Sequence, residues 1–421
     1  MIQKIRVQTI GQPNIKVYRL EGVSEKDAKI LAEKLLSERI NQKYTINQPI
    51  HLGGVKAHPR GISVIEIAYK PGVMNPEVAS IMKAASDLEI KLIACDSSIE
   101  YVNKKISFNP LTEHIVMEEP KTLVITGKPG KTQIIPIRNL SDQELLDLSK
   151  DALFLNLEEM KAIQKYFQKI KRDPTDLELE TLAQTWSEHS GHKTFKADLI
   201  VDGKKKEPLM TRLKKEALKH DKNIVSAFVD NSGVMDFYED FGVCGKVETH
   251  NAPSAIEPYG GAMTGSGGVF RDIAATGKGS KNIASTNIFC FAPLNLPDSD
   301  LPAGCLPPEY LLKRVVAGVR DYGNRMGIPT NNGSVHFHRD FRAKPSVIVG
   351  AFGIVPKKYA KKEKPKVNDL IVVVGGRTGR DGIHGATFSS GEMTERTIEV
   401  HSSAVQIGNA IEEKRMFDAL L

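Results

Sequence analysis

The sequence is poor in several features that mark specialised classes of protein. It has four cysteines in 421 residues and no C-x-x-C pair, so neither a disulfide scaffold nor a cysteine zinc site is expected. No segment approaches the roughly 18 uninterrupted apolar residues of a membrane-spanning helix, and the first residues lack a signal-peptide core. Aromatic residues make up only 6% of the chain and do not interleave with its lysine clusters. We therefore expect a cytoplasmic protein with no membrane or nucleic-acid partner.

What the chain does contain is ordinary globular composition with a mild excess of positive charge. Apolar residues make up 40% and charged residues 26%, and the net charge is +7. The length allows about three domains, each large enough for its own core. The positive charge suits anionic phosphate substrates.

The N-terminal part, residues 1–139, contains two similar strand-helix-strand patterns. In one, Ser24 precedes a helix with apolar residues at helical spacing, and in the other the strand-like ISVIEIAY precedes a second such helix. Two copies predict a doubled ferredoxin-like unit, and hence an α+β (mixed α/β) fold class for the chain. This part contains no catalytic constellation, which favours a structural or assembly module.

Residues 140–188 form a predicted helical linker with three clear helix starts. In each start a capping side chain precedes an acidic residue by three positions, the spacing of a capping box. The three pairs are Ser141 with Glu144, Asn156 with Glu159, and Thr175 with Glu178.

The stretch from residue 241 to 280 carries most of the predicted chemistry. A strand-like run leads to Glu248 and His250, and a glycine-rich segment follows before Arg271 and Asp272. Glycines let backbone N–H groups approach an anion, so the segment predicts a phosphate-binding loop beside a metal site. A glycine cluster or a histidine taken alone is more often structural. The combination is hard to explain by packing, because most of these groups are costly to bury unpaired.

This stretch resembles the phosphoribosylformylglycinamidine synthases of the aminoimidazole ribonucleotide synthetase superfamily. The signature K-V-E-[ST]-H-N-H-P is matched from Lys246 to Pro253, except that Ala252 replaces the second histidine, and the following G-[AS]-x-T-G-x-G-G-x-x-R-D is matched in full. Upstream, the family's S-E-H-C-x-H-K pattern is matched from Ser187 to Lys193, with Ser190 in place of the cysteine.

The resemblance implies a role for each matched residue. It implies magnesium ligands at Glu248 and Asp272, and catalytic histidines at His189 and His250. Which histidine acts as acid, base or oxyanion partner stays open. The remaining implied roles are nucleotide binding by His192, Lys246, Gly265, Gly267 and Gly268, and substrate binding by Thr249, Asn251 and Arg271.

The resemblance also sets the domain plan. We expect an ATP-binding half-barrel domain over residues 189–356 and the truncated start of a second α/β domain over residues 357–421. In the second domain, Arg380, Asp381 and His384 lie in a matched T-G-R-D-G-I-H-G segment. Asn409 stands where the resemblance implies a magnesium-binding aspartate.

The reaction that the resemblance implies is conversion of formylglycinamide ribonucleotide to formylglycinamidine ribonucleotide with ATP, Mg²⁺ and ammonia. There is no glutaminase signature, so a separate glutaminase subunit or domain is expected to supply ammonia. The family's paired half-barrels imply self-association or association with a remaining synthetase half, so we expect only a partial enzyme. The alternatives are a non-catalytic assembly or regulatory subunit, supported by Ala252 and Asn409, and another ATP-dependent enzyme of the superfamily.

Overall fold

The computed structural model divides into two compact units, residues 1–129 and residues 130–421. Each unit is described by itself. The structure describes residues 1–50, 64–71, 73, 75, 77–102, 108–109, 112–124, 130–150, 152–219, 221–376, 382–383, 385–388, 405–406 and 408–421. Within these residues no helix is long and apolar enough to cross a membrane.

The first unit is a six-stranded antiparallel sheet with its helices packed on one face. The strand order is β3-β1-β2-β5-β4-β6. Apolar residues of β1 and β2 alternate toward the helices, which places Ile5, Leu20, Leu31 and Ala85 in one core. The elements are β1 (Ile2–Thr9), β2 (Ile15–Glu21), α1 (Glu25–Leu31), a π-helix (Ala32–Leu36), β3 (Gln42–Ile46), β4 (Val64–Tyr69), α2 (Val78–Asp87), β5 (Ala94–Val102) and β6 (Glu113–Ile115).

The other face of this sheet carries a network of paired charges. The Arg19 guanidinium lies 2.5 Å from a Glu66 oxygen, and Lys4 contacts Glu66 at 2.9 Å. Burial alone would raise the pKa of Glu66, but hydrogen bonds from Arg19, Ser98 and Lys4 lower it to about 2. These charges have partners inside the sheet, as expected of a structural face rather than a reactive site. The mixed α/β class agrees with the sequence, while the doubled ferredoxin-like description stays a prediction.

The second unit begins with helices whose starts agree with the sequence. Asn156 and Thr175 each form a complete capping box with the acidic residue three positions later. At Ser141 the backbone N–H donates to Glu144 Oε2 at 2.7 Å. These starts belong to α3 (Asp142–Lys150), α4 (Leu157–Lys169) and α5 (Asp176–Thr185), preceded by a 3₁₀ turn (Ile137–Asn139) and followed by the short α6 (Glu188–Gly191) and α7 (Lys193–Lys196).

A second six-stranded sheet forms the body of this unit, in the order β13-β12-β14-β11-β10-β9. Its pairs are antiparallel except β12 with β13, which run parallel. The strands are β9 (Ile224–Ser226), β10 (Gly233–Tyr238), β11 (Phe241–Thr249), β12 (Lys281–Phe291), β13 (Thr330–Phe337) and β14 (Ser346–Pro356). A separate exposed hairpin pairs β7 (Leu199–Val201) with β8 (Lys204–Lys206) ahead of α8 (Leu209–Leu218).

Two long helices cover one face of the second sheet and form the main core with it. Val347, Val349 and Ala351 of β14 pack beneath them, fully or almost fully buried. The two long helices are α10 (Pro258–Ala274) and α11 (Pro308–Met326). The shorter helices of this unit are α9 (Asn251–Ile256), α12 (Gly385–Phe388) and α13 (Ala410–Leu420), and 3₁₀ turns lie at Asp221–Asn223, Asp298–Asp300, Arg339–Arg342 and Lys357–Tyr359. The division of this unit into linker, half-barrel domain and second domain stays a prediction.

The glycine-rich segment is a helix, so the predicted phosphate-binding loop at Gly265, Gly267 and Gly268 is wrong. All three lie inside α10, where backbone N–H groups bond to carbonyls of the preceding turn and cannot face an anion. Their function in the fold is close packing. A Cβ on Gly261 would lie 2.5 Å from the Pro253 carbonyl carbon, and one on Gly265 would lie 3.1 Å from the His250 Cβ.

The packing explanation predicts opposite effects for two glycines of α10. Gly261→Ala should lower the free energy of unfolding by about 2 kcal/mol or more, because a backbone contact must open to admit the methyl group. Gly268→Ala is the matched control, since the nearest atom to its Cβ would be Arg271 Nη2 at 4.0 Å. It should stabilise the helix by about 0.5–1 kcal/mol. Urea unfolding followed by the fluorescence of Trp186 would measure both, and equal effects would contradict the explanation.

Candidate functional site

The site is built at the carboxyl end of β11, as the sequence predicts. Glu248 is the last residue of β11 whose side chain faces inward. The chain then turns at His250 into α9. The His250 N–H donates to the Val347 carbonyl at 2.8 Å, while Asn251 Oδ1 accepts from the Val347 N–H at 2.7 Å. These two bonds hold the turn against β14. Asn251 therefore positions the turn through its side-chain oxygen.

An ion cluster lies where β11 meets α10. The Lys246 Nζ is 3.0 Å from Glu248 Oε1 and 3.0 Å from Asp272 Oδ2. Burial alone would lower the pKa of Lys246, but its hydrogen bonds to the two carboxylates outweigh that effect and raise the pKa. Two predicted metal ligands and a predicted nucleotide contact thus converge on one point.

The carboxylate pair fits a divalent cation. Magnesium in proteins commonly uses one or two carboxylates and takes its other ligands from water and phosphate. Glu248 and Asp272 face each other across the Lys246 ammonium, so a positive charge already stands between them. Across the described part of the chain there is no group of three histidine, cysteine, aspartate or glutamate side chains arranged for a metal. A cation here would accordingly depend on outside ligands such as phosphate oxygens.

His250 lies beside this cluster with its ring shielded from solvent. Its Nδ1 is buried and has no hydrogen-bond partner among the described residues. Burial lowers the pKa of His250 below its ordinary 6.5 and outweighs the opposing effects of a hydrogen bond to the Gly261 backbone and of the Glu248 charge, while His189 and Arg271 lower the pKa further. His250 is therefore held as a neutral imidazole within electrostatic reach of His189.

The S-E-H motif places His189 within the short α6 and His192 at the connection from α6 to α7. His189 is exposed, and its Nδ1 lies 3.4 Å from the Ser190 hydroxyl. His192 joins the two short helices in the left-handed conformation, with φ of 51°. The neighbouring Lys193 bonds Glu159 at 2.9 Å, which fixes this connection to the start of α4. Thr249, at the end of β11, is also exposed.

Arg271 has a partner that sequence reasoning missed. Its Nη1 lies 2.6 Å from Glu413 Oε2 on α13, and the Tyr322 hydroxyl donates to the same oxygen at 2.8 Å. Glu413 and Tyr322 are both buried, and they stand 142 and 51 positions away from Arg271 in the chain. Separation of this kind leaves no sequence signal. Arg271 is thus occupied by an internal carboxylate at the place where a substrate anion is predicted.

The predicted residues of the second domain are only partly described. Arg380, Asp381 and His384 lie outside the described residues. Asn409 caps α13, its Oδ1 accepting from the N–H groups of Ile411 and Glu412 at 3.2 and 3.3 Å. An asparagine is well suited to this capping position.

Two known domains match the chain. Residues 147–193 match the formylglycinamide ribonucleotide amidotransferase linker domain, and residues 229–355 match the N-terminal domain of AIR synthase related proteins. The S-E-H motif therefore falls at the end of the first match. The ion cluster, His250 and Arg271 fall within the second.

Similar full-length proteins agree with these domains. A Thermoplasma volcanium protein described as phosphoribosylformylglycinamidine synthase subunit PurL is 39% identical over 289 residues, which is 68% of this chain and 36% of that protein. The Picrophilus torridus protein of the same description is 40% identical over 286 residues, again 68% of this chain and 36% of that protein. A structure described as T. maritima PurL complexed with FGAR is 28% identical and covers 61% of this chain and 36% of that chain, with a TM-score of 0.41.

The two domain matches and the two curated relatives confirm the resemblance found in the motifs, because over the matched part the chain is homologous to the synthetase subunit PurL. The chain spans about a third of the length of the curated relatives it matches, at 36%.

The contact between Arg271 and Glu413 predicts that the stability of α13 depends on the Glu413 carboxylate. Glu413→Ala should lower the free energy of opening α13 by about 2 kcal/mol, because the buried Tyr322 hydroxyl and Arg271 both lose their acceptor. Glu412→Ala is the control, since Glu412 belongs to the same turn but pairs with Arg415 at the surface. It should cost about 0.5 kcal/mol or less. Hydrogen exchange of the α13 amides would measure both, with exchange about 30-fold faster in the first variant only.

Proposed function

We propose that this chain takes part in the ATP-dependent conversion of formylglycinamide ribonucleotide to formylglycinamidine ribonucleotide in purine biosynthesis. The observation that carries the proposal is the cluster of Lys246, Glu248 and Asp272 beside the buried His250. It lies in the segment that matches the AIR synthase related domain, and the relatives that share this segment are described as PurL.

The chemistry explains why such a cluster is needed. The amide oxygen of the substrate attacks the γ-phosphorus of ATP and ADP leaves; ammonia then adds to the activated carbon and phosphate leaves. Negative charge on the phosphoryl oxygens is best stabilised by fixed positive groups. Glu248 and Asp272 would hold a magnesium ion, which supplies part of that positive charge when bound. Lys246 supplies another positive charge at the same place.

The histidines are proposed to handle the protons. The nitrogen of ammonia must lose protons as the amidine forms, and a neutral imidazole is a suitable acceptor. His250, beside the ion cluster, is proposed for this role, and the exposed His189 is proposed as its acid-base partner. His192 is proposed as a contact for the nucleotide.

The remaining predicted contacts are assigned by what the structure leaves accessible. Thr249 is exposed at the strand end and is proposed to bind substrate directly. Asn251 is proposed to act as a positioning residue through its bond to Val347. Arg271 is proposed to bind a substrate anion by exchanging its contact with Glu413.

The metal assignment makes a direct prediction about ATP binding. Glu248→Gln and Asp272→Asn each remove one negative ligand while keeping shape, so magnesium should no longer strengthen ATP binding in either variant. We expect at least about a tenfold loss of affinity at saturating magnesium, or ~1.4 kcal/mol. Calorimetry with and without magnesium would measure it. Glu239→Gln, at an exposed turn outside the cluster, is the control, and wild-type magnesium dependence in both site variants would contradict the assignment.

The outer face of the second sheet, the face away from α10 and α11, supports a proposed partner. On it Met235, Val247, Ile288 and Phe352 are 52%, 62%, 39% and 38% exposed. A contiguous exposed apolar face of this kind commonly marks an interaction surface. We propose that a second sheet of the same kind, from another copy of the chain, covers it, in keeping with the paired half-barrels of the resembling family.

Association and turnover should therefore go together. Val247→Lys should weaken self-association about tenfold or more and lower turnover in parallel, because it places a charge in the apolar face. Ile200→Lys is the control, an equally apolar and 77% exposed side chain on the separate β7–β8 hairpin. Sedimentation would follow association, and ADP release with formylglycinamide ribonucleotide, ammonium and magnesium would follow turnover. Substantial turnover by a monomer would contradict the proposed pairing but not the proposed reaction.

The ADP-release assay also tests a second candidate function, that of a non-catalytic assembly or regulatory subunit. Two observations favour it: Arg271 is occupied by Glu413, and Asn409 uses its oxygen to cap α13 where the family has an aspartate. Substrate-dependent ADP release that disappears in Asp272→Asn would exclude it. Ammonia is proposed to come from a separate glutaminase.

A further inference from the structure

The first unit has a cavity on the face of its sheet that lies away from the helices. Lys4 and Arg6 point to this face, because they alternate along β1 with the core residues Ile5 and Val7. The cavity has a volume of about 440 Å³, which is within the usual range of ligand sites. It is lined by Ile2, Lys4, Arg6, Asn47, Glu119, Pro120 and Lys121.

The strands beside the cavity supply more positive than negative charge to it. Three cations, Lys4, Arg6 and Arg19, are 13%, 16% and 3% exposed. Among the described strand residues, two carboxylates contact these cations. Glu66 lies 2.5 Å from Arg19 and 2.9 Å from Lys4, and Glu100 lies 2.8 Å from Arg6. Since a cation taken out of water without a partner is costly, the strands leave room for a third anion.

The third carboxylate is Glu119, which lies on a segment outside the sheet. Residues 117–124 form neither helix nor strand and are exposed at every position except Leu123. Glu119 contacts Lys4 through one oxygen and lies 2.9 Å from Arg19 through the other. Burial alone would raise the pKa of Glu119, but hydrogen bonds from Arg19 and Lys4 lower it. The Glu119 side chain is nevertheless 60% exposed, and an ion pair so open to water is weak.

The other polar groups near the cavity do not compete for an anion. Asn47 Oδ1 accepts from the Lys4 N–H at 2.8 Å. Asp96, opposite Arg19 in the strand register, accepts from Asn75 at 2.8 Å. Lys121 is exposed at the rim and contacts no carboxylate of a described residue.

We infer that this cavity binds a short aliphatic dicarboxylate, one carboxylate of which takes the place of Glu119 at Lys4. Glu119 itself lines the cavity, so its departure opens that place to a ligand. The exchange replaces one carboxylate by another at the same cation. It therefore needs no rearrangement of the strands.

The rest of the cavity suits the second carboxylate and the carbon chain between the two. With Glu119 displaced, the described lining residues include three cations, Lys4, Arg6 and Lys121, and no carboxylate. Lys121 at the rim is within the same cavity, and Ile2 offers an apolar surface to the chain. Every lining residue belongs to the first unit, so the inference does not rest on the proposed reaction.

Two probes that differ in charge test the inference on the whole chain. Succinate has two carboxylates, and succinamide has the same carbon chain with two neutral amides. We expect succinate to bind at least about tenfold more tightly than succinamide, because its contacts to the cations are charge-assisted. Calorimetry would measure both, at constant ionic strength because salt screens exposed charges.

Removal of the internal competitor separates this cavity from any other basic surface. Glu119→Gln should strengthen succinate binding about tenfold, because Lys4 and Arg19 then lack their third carboxylate. Glu118→Gln is the matched control, since it makes the same change of net charge one residue away. Glu118 is exposed and has no ion pair with a described residue. It should change the affinity about twofold or less.

The rim and the displaced segment give two further measurements. Lys121→Gln should weaken succinate binding about threefold, and Lys26→Gln, exposed on α1 at the opposite face, should not change it. Both lysines are exposed, so neither variant should disturb folding. Succinate should also speed hydrogen exchange of the amides of residues 117–124 in the wild-type chain, because the segment loses its contact through Glu119.

Succinate binding that is stronger in Glu119→Gln than in Glu118→Gln, and that exceeds succinamide binding, supports the inference. Equal binding of the two probes, or equal effects of the two glutamate variants, would overturn it. So would the absence of succinate binding to Glu119→Gln at millimolar concentration. Inorganic phosphate bound by Glu119→Gln as tightly as succinate would overturn the assignment to a dicarboxylate.

Discussion

The close packing of α10 against the turn that follows β11 is the contact on which the rest of the second unit depends. Gly261 lets the helix touch the backbone of Pro253 and Ser254, and Gly265 lets it touch the ring of His250. Because the helix is fixed there, Asp272, about two turns further along, reaches Lys246. A side chain at either glycine would lift the helix from the sheet and separate the carboxylates. The glycines serve the site by geometry rather than by contact with an anion.

Sequence reasoning singled out residues that the fold brings together at the end of β11, but it described the backbone of the glycine-rich segment wrongly. The strand end at Thr249 and the helix starts at Asn156 and Thr175 follow from local rules, since alternation and capping act over a few residues. The glycine-rich segment has low helix propensity, which favours a loop when it is considered alone. It is helical because its packing partners are supplied by distant β14 and α11, and tertiary packing outweighs propensity. The pair of Arg271 and Glu413 has no local signal at all.

The charges of the site favour binding of a divalent cation together with a phosphate. Lys246 brings one positive charge to two carboxylates, and Arg271 is neutralised by Glu413. The described groups therefore leave an excess of negative charge at the end of β11. A triphosphate alone would be repelled there, whereas a phosphate that arrives with a divalent cation gives the carboxylates a partner and frees Lys246 for the phosphate. The arrangement thus favours the complex of the divalent cation with the phosphate over either one alone.

Helix α11 joins the main core of the second unit to the pair of Arg271 and Glu413. Its Val315 and Val319 pack in the main core with Val347, while the Tyr322 hydroxyl donates to Glu413 of α13. Gly318 brings the same helix into backbone contact with Tyr259 of α10, since a Cβ there would lie 2.3 Å from the Tyr259 carbonyl oxygen. Helices packed this closely move as one body, because no space is left for either to shift alone. A shift of α11 would therefore also move the hydroxyl that holds Glu413 beside Arg271.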